Sequence, residues 1–266
     1  MIRNILSIAG SDPSGGAGIQ ADLKAISANG GYGMAALTAL TAQNTRGVHG
    51  AQLIAPSFIR AQIDAIFDDI RVDAIKIGML GSVEITAEVA DTLRPYGGPI
   101  VLDPVMVAKG GDRLLAKEAV AALRDQLLPL AHVITPNLPE AADLLERPEA
   151  TTRDEMLDQA SALLRLGPRA VFLKGGHLAG DTSPDLVLST AGALWLDAPR
   201  ARTQNTHGTG CTLSSALATL LARYDDLDHA AQAAKTYVLG AMRRADDLHV
   251  GHGHGPTHHF FNMREI

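Results

Sequence analysis

The chain contains a single cysteine, Cys211, in 266 residues. One thiol excludes an intrachain disulfide framework and a four-cysteine zinc site. Lysine- and arginine-rich blocks are missing, and the formal net charge is −6. Nucleic-acid binding needs a clustered basic face, so that class of partner is set aside. Long apolar runs are missing as well: Ile5-Leu6-Ser7-Ile8 soon meets Gly10 and Asp12, too early for a signal peptide or a membrane span. These absences predict a cytoplasmic protein with neither membrane nor nucleic acid as partner.

Several signatures are also lacking. No G-x-x-x-x-G-K-[ST] sequence occurs, so phosphate is not handled by a P-loop, and neither G-x-S-x-G nor H-E-x-x-H is present. No Pro/Gly/Ser-rich linker, charge run or internal repeat divides the chain, which predicts one domain over residues 1–266.

What is present is an alternation of short apolar runs and longer helical patterns, with 46% hydrophobic and 20% charged residues. Strands are predicted over 4–9, 34–39, 74–79, 100–103, 132–135 and 170–173. Several are apolar on both faces, as strands covered on both sides must be. Between them, Ile59, Ile63, Ile66 and Ile70 form one helical stripe, and Leu213, Leu217 and Leu220 another. The pattern predicts an α/β fold, a mainly parallel central sheet with helices on both faces. A late antiparallel hairpin is predicted over 185–189 and 193–196, and a last helix over 230–245.

In open α/β sheets ligands collect outside the carboxyl ends of the strands, and the unusual residues fall there. Residues 10–18 follow the first predicted strand, Gln43-Asn44 the second and Gly78-Met79 the third. Asp103-Pro104-Val105, Asn137 to Glu140 and Lys174-Gly175-Gly176 follow others.

Thr206-His207-Gly208-Thr209-Gly210-Cys211 runs directly into a helix predicted to reach about Arg223. The first N–H groups of a helix have no internal partner and lie at the positive end of its dipole, so a glycine-rich entry makes an anion site. Simple turning and capping explains Gly-Thr-Gly equally well on its own. In the first loop, Gly16-x-Gly18-x-x-Ala21 follows a strand like a dinucleotide fingerprint. The second strand, however, ends in Thr41-Ala42-Gln43-Asn44 without the acid that would hold a ribose, which weakens an oxidoreductase reading.

Taken together, these segments resemble the hydroxymethylpyrimidine/phosphomethylpyrimidine kinases of the ribokinase-like superfamily. The resemblance rests on Ala9-Gly10-Ser11-Asp12-x-Ser14-Gly15-Gly16-Ala17-Gly18, Thr41-Ala42-Gln43-Asn44, Lys76-Ile77-Gly78-Met79, Asp103-Pro104-Val105-Met106 and Thr135-Pro136-Asn137-Leu138-Pro139-Glu140. It continues through Lys174-Gly175-Gly176-His177 and Thr206-His207-Gly208-Thr209-Gly210-Cys211-Thr212, in family order over nearly the whole chain. It implies a ribokinase-like three-layer fold and a homodimer. The implied activity, with ATP and Mg²⁺, is phosphorylation of 4-amino-5-hydroxymethyl-2-methylpyrimidine and then of its monophosphate, in thiamine biosynthesis. It also implies that Gln43, Gly10, Asp22, Met79 and Val105 line the pyrimidine site. By the same resemblance Lys174, Thr209, Lys235 and Asn137 lie near the nucleotide, and Asp103 and Glu140 near the metal. The anion loop Gly208, Thr209 and Gly210, with Lys174 and Cys211, is implied as the catalytic group.

Each residue also has a plainer reading. A lone cysteine is most often an inert buried hydrophobe, but at a helix start the dipole favours the thiolate, which suits Cys211 as general base. Gln43 offers a donor and an acceptor on one amide, matching an aminopyrimidine edge, although a strand-end glutamine often just faces water. Lys174 could be a solvated loop lysine and Asp103 a turn initiator. Asn137 and Glu140 have capping-box spacing. His252, His254, His258 and His259 lie in a glycine-flanked stretch that reads as a tail rather than a metal site. Lys109-Gly110-Gly111 reads as a lid. Alternative functions are a pyridoxal or pyridoxine kinase of the same superfamily, and a non-catalytic ligand-binding protein on this scaffold.

Overall fold

Alternation along the first strand, β1 (Asn4–Ala9), sets the layering. Successive strand side chains point to opposite faces: Ile5 joins one hydrophobic cluster, while Leu6 and Ile8 join the other. The structure, a computed structural model, describes residues 1–106 and 117–263. The 107–116 stretch with Lys109, Gly110 and Gly111, read above as a lid, lies outside the described residues.

After β1 come α1 (Gly18–Ala28), β2 (Tyr32–Leu37), β3 (Ala39–Asn44), β4 (Gly47–Leu53), α2 (Pro56–Phe67), β5 (Ala74–Ile77) and α3 (Val83–Leu93). Next are β6 (Ile100–Leu102), α4 (Lys117–Ala122), β7 (Val133–Ile134), α5 (Leu138–Leu145), α6 (Arg153–Leu164) and β8 (Ala170–Leu173). The order closes with β9 (Asp185–Ser189), β10 (Gly192–Leu196), α7 (Thr209–Tyr224) and α8 (Leu227–Arg243).

Eight strands form one sheet in the order β10-β9-β8-β7-β6-β5-β1-β2. From β2 to β8 the neighbours are parallel, and β9 and β10 add the antiparallel hairpin expected from the sequence. Ile59 and Ile63 of α2, Val89 of α3, Leu138 of α5 and Leu163 of α6 pack in one cluster. Ile26 of α1, Leu213, Leu217 and Leu220 of α7 and Ala234 of α8 pack in the other. Sheet and two helical layers make the three-layer α/β fold.

One element departs from expectation. The strand predicted over 34–39 ends at Leu37, and β3 and β4 form a separate antiparallel two-stranded sheet. Thr38 marks the exit: its N–H donates to the Ala9 carbonyl at 3.0 Å and its hydroxyl to the Met79 carbonyl at 2.7 Å. Gln43 therefore sits not beyond a main-sheet strand but within this hairpin, beside a bulge at Ala42/Gln43. The hairpin is mostly exposed and carries short or polar side chains, so it lacks the apolar run that marks a buried strand. The last helix runs Leu227–Arg243 rather than 230–245, because Asp226 caps it by accepting from the His229 N–H at 3.0 Å.

Candidate active site

The loops after the parallel strands, joined by the hairpin and the start of α7, enclose a cavity of about 860 Å³. Gly10, Gln43, Met79, Val105, Lys174 and Cys211 all line it. Gly10 lies close against Met79, and a Cβ there would displace the Met79 methyl group.

Gln43 reaches this cavity from the hairpin, its Oε1 3.2 Å from the Thr41 hydroxyl and its Nε2 3.4 Å from His207 Nε2. The same His207 nitrogen lies 2.8 Å from Asp12 Oδ2. Asp12 also accepts from the Ser14 hydroxyl at 2.6 Å and the Ala17 N–H at 2.9 Å. Burial would raise the Asp12 carboxyl, but the bonds from His207 and Ser14 prevail and hold it down to about 2. The first loop is thus organised around a carboxylate that also fixes the residue leading into the anion loop. Asp12 and His207 carried no distinct signal of their own in the sequence, because 195 positions separate them.

At the other end of the cavity stands the start of α7. Gly208 is its N-cap, at φ +74° and without a side-chain cap, and a Cβ there would overlap the Gly16 carbonyl. Gly210 passes so close to Lys174 and Asp103 that a Cβ would lie 3.3 Å from the Lys174 ammonium and 3.3 Å from an Asp103 oxygen. The Thr209 hydroxyl donates to the Thr206 carbonyl at 2.7 Å. Lys174 Nζ lies 3.1 Å from Asp103 and 3.7 Å from Glu140. Burial disfavours its charge, yet those two carboxylates outweigh burial and raise its pKa. Asn137 and Glu140 form the capping box of α5: the Glu140 N–H donates to Asn137 Oδ1 at 2.8 Å, and the Asn137 N–H donates to Glu140 at 2.7 Å. Burial raises the Glu140 carboxyl against the pull of Lys174.

One expectation is corrected, and two further residues are constrained in ways that consecutive residues do not reveal. Asp22 does not line the cavity; it is 0% exposed beneath the floor, paired with Lys76 at 2.8 Å. Its carboxylate is held there by Ser7, Lys76 and Ser215. Lys235 does line the cavity, but its ammonium is tied to Asp185 at 2.6 Å and the Ser183 carbonyl at 3.0 Å. Cys211 is not poised as a free thiolate. Burial pushes its thiol up to about 11, although Lys76 and the Gly18 N–H act in the opposite direction. At this position the loss of water outweighs the favourable helix start.

The histidine tail is part of the site's support. His259 is 4% exposed, and its Nε2 lies 3.0 Å from the Thr212 hydroxyl, which donates to the Gly208 carbonyl at 2.8 Å. Since the Thr212 proton is used on Gly208, His259 is the donor of that pair, so the tail buttresses the anion loop. The Gly253 and His254 N–H groups meanwhile bond Thr45 in the turn of the Gln43 hairpin, at 3.1 and 2.8 Å.

Burial, with help from Lys24 and His258, lowers His259 to about 4. An unfolded histidine takes its proton near pH 6.5. The stability this contributes is therefore complete above about pH 6.5 and is lost as pH falls towards 4, by on the order of 3 kcal/mol. Glu140, with its carboxyl raised from 4.5 to about 7, slopes the other way over most of that range. Urea melts from pH 7 to 4 should accordingly show a shallower acid loss in His259→Gln than in the unmodified protein. Identical pH slopes for the two proteins would contradict this role.

An uncapped helix start facing a lysine, at the carboxyl edge of a parallel sheet and without a P-loop, suits transfer of a phosphoryl group. Fold and cavity place the chain among the ribokinase-like small-molecule phosphotransferases. The family profile for phosphomethylpyrimidine kinase matches residues 12–258. The hydroxymethylpyrimidine/phosphomethylpyrimidine kinase of Escherichia coli K12 is 54% identical over 258 residues, 97% of each chain. The crystal structure of a phosphomethylpyrimidine kinase from Clostridium difficile 630 superposes with a TM-score of 0.80 at 41% identity, over 90% of this chain and 99% of that one. A Bacillus subtilis pyridoxal kinase in an ADP complex gives 0.90 at 40% identity, over 97% and 98%. The chain belongs to the phosphomethylpyrimidine kinase family.

Proposed function

We propose that this protein, as a single kinase domain over residues 1–266, transfers the γ-phosphoryl group of ATP to the hydroxymethyl oxygen of 4-amino-5-hydroxymethyl-2-methylpyrimidine. It then transfers a second one to the resulting monophosphate, in thiamine biosynthesis. One observation carries the reading: Gln43 and the Gly208–Cys211 helix start open onto the same cavity. The Gln43 amide pairs with the aminopyrimidine edge, and Gly10, Met79 and Val105 hold the ring.

In the first step Cys211 sulfur takes the hydroxyl proton while the alcohol oxygen bonds to the γ-phosphorus. The bond from that phosphorus to the β–γ bridging oxygen breaks, and ADP leaves with its electron pair. The N–H groups of Gly210 and Cys211 at the start of α7, with Lys174, receive the charge that builds on the transferring group. In the second step the acceptor is an ionised phosphate, and no base is required.

Asp103 and Glu140 would hold the magnesium ion that accompanies ATP; two hard-oxygen carboxylates suit a cation that keeps much of its water. There it would supply positive charge against the phosphates of ATP. Thr209, Asn137 and Lys235 border the nucleotide end, Lys235 through the Asp185 pair that also anchors the Gly175 N–H at 2.9 Å. The working form is a homodimer in the cytoplasm.

Incubation of the purified protein with MgATP and the hydroxymethylpyrimidine should yield the monophosphate and then the diphosphate by mass spectrometry. The fold shared with a pyridoxal kinase at 40% identity makes pyridoxal the second acceptor to test. Pyridoxal as the better substrate in direct competition, or no product from either acceptor, would overturn the assignment.

A further inference from the structure

At the cavity floor Lys76 of β5 meets Ser7 of β1, Asp22 of α1 and Ser215 of α7 beneath it, all 0% exposed. Asp22 accepts from Ser7 at 2.6 Å, from Ser215 at 2.8 Å, and from Lys76 through both oxygens at 2.9 and 2.8 Å. Desolvating two charges offsets most of what their attraction gains, so a buried ion pair is weak evidence of a stabilising role. Neighbouring positions on the same face, such as Ala25 and Ala74, are filled by small apolar side chains.

The placement of the pair points to the thiol instead. Ser215 follows Cys211 by one helical turn on α7, and residues four apart share a helix face. The hydroxyl that holds Asp22 therefore sits one turn from Cys211 on the same face of α7, and Asp22 in turn holds the ammonium. Lys76 lines the cavity together with Cys211. Gly78 leaves room for it, since a Cβ there would come 2.6 Å from Lys76 Nζ. The carboxylate accounts for two of the three N–H bonds an ammonium can donate.

We propose that Lys76, anchored by Asp22, is the positioning cation that favours the thiolate form of Cys211 when the acceptor alcohol gives up its proton. The proposal rests on the reading of Cys211 as base. The charged groups that act on Cys211 are Lys76 from β5, Asp22 from α1, Asp103 from the loop after β6 and Lys174 from the loop after β8. Glu140 faces Lys174 rather than the thiol. Lys76 is the strongest of the groups that pull the thiol pKa down, while Asp22 and Asp103 push it up. The anchor attenuates the cation without cancelling it.

Cys211 is the sole cysteine, so the rate of iodoacetamide labelling against pH reports its ionisation alone. The double variant Lys76→Met/Asp22→Asn removes both charges and leaves no unpaired buried ion. Its labelling midpoint should rise by about one unit. Lys76→Met alone should rise further, because the Asp22 carboxylate is left near the sulfur. A merely structural role predicts no such order. First-step turnover at neutral pH should fall about tenfold in the double variant, with the second step less affected. A midpoint that stays put in a double variant with a cooperative thermal melt overturns the Lys76 proposal, whatever Cys211 does. Equal losses in both steps on Cys211→Ala would instead overturn the base reading, and with it the catalytic meaning of Lys76.

Discussion

Cys211→Ala should cut phosphorylation of the hydroxymethylpyrimidine by about 100- to 10,000-fold, the usual contribution of a positioned base. Phosphorylation of the monophosphate should survive with a far smaller loss. The asymmetry comes from the acceptors, because an alcohol has to lose a proton and an ionised phosphate does not. With the thiol pushed up to about 11 in the free protein, the pH–rate profile of the first step should climb well above neutrality and that of the second should not. Single-turnover measurements of both steps on the purified variant are the check. Equal losses would assign Cys211 to the support of the anion loop instead.

Lys174→Met should behave differently and lower both steps together, by about 100- to 1,000-fold, the range for removing one donor from a site of developing charge. Lys174 reaches the cavity beside Gly210, where a phosphoryl group would pass in either reaction. Removing it also leaves Asp103 and Glu140 facing each other without the cation between them. Having lost a cation that faces the phosphates, the variant should also bind MgATP more weakly, as nucleotide titrations would show. Loss of only one step would contradict a shared phosphoryl position. Comparing the two variants separates proton removal from charge stabilisation, which a single knockout cannot do.

The layered fold was legible wherever burial is two-sided. Strands β1, β8 and β9 fall on their predicted spans because continuous apolar runs leave few alternatives. The stripe Leu213, Leu217 and Leu220 packs in the core as its spacing required. The β3–β4 hairpin was not legible, because it is held by backbone pairing between short side chains that face solvent. Its absence from the sequence reading misplaced the support of Gln43, though not the choice of the residue.

At the site, motif order brought Gln43, Lys174, Cys211 and the anion loop to one cavity. The Asp12–His207 and Asp22–Lys76 pairs were invisible because each joins elements far apart in the chain, and side-chain identity does not say which lysine meets which aspartate. The role of His259 was hidden for the same reason, in a tail that reads as low-complexity until it is seen against Thr212.

Local chemistry alone determined the sheet, its two helical coats and the glycine-rich entry to α7 at Gly208, because periodicity and turn residues are written in consecutive residues. Tertiary structure alone decided the ionisation of Cys211, the partner of each buried charge and the hairpin that carries Gln43. Those depend on desolvation and on distances between remote segments, and neither is a property of a stretch of chain.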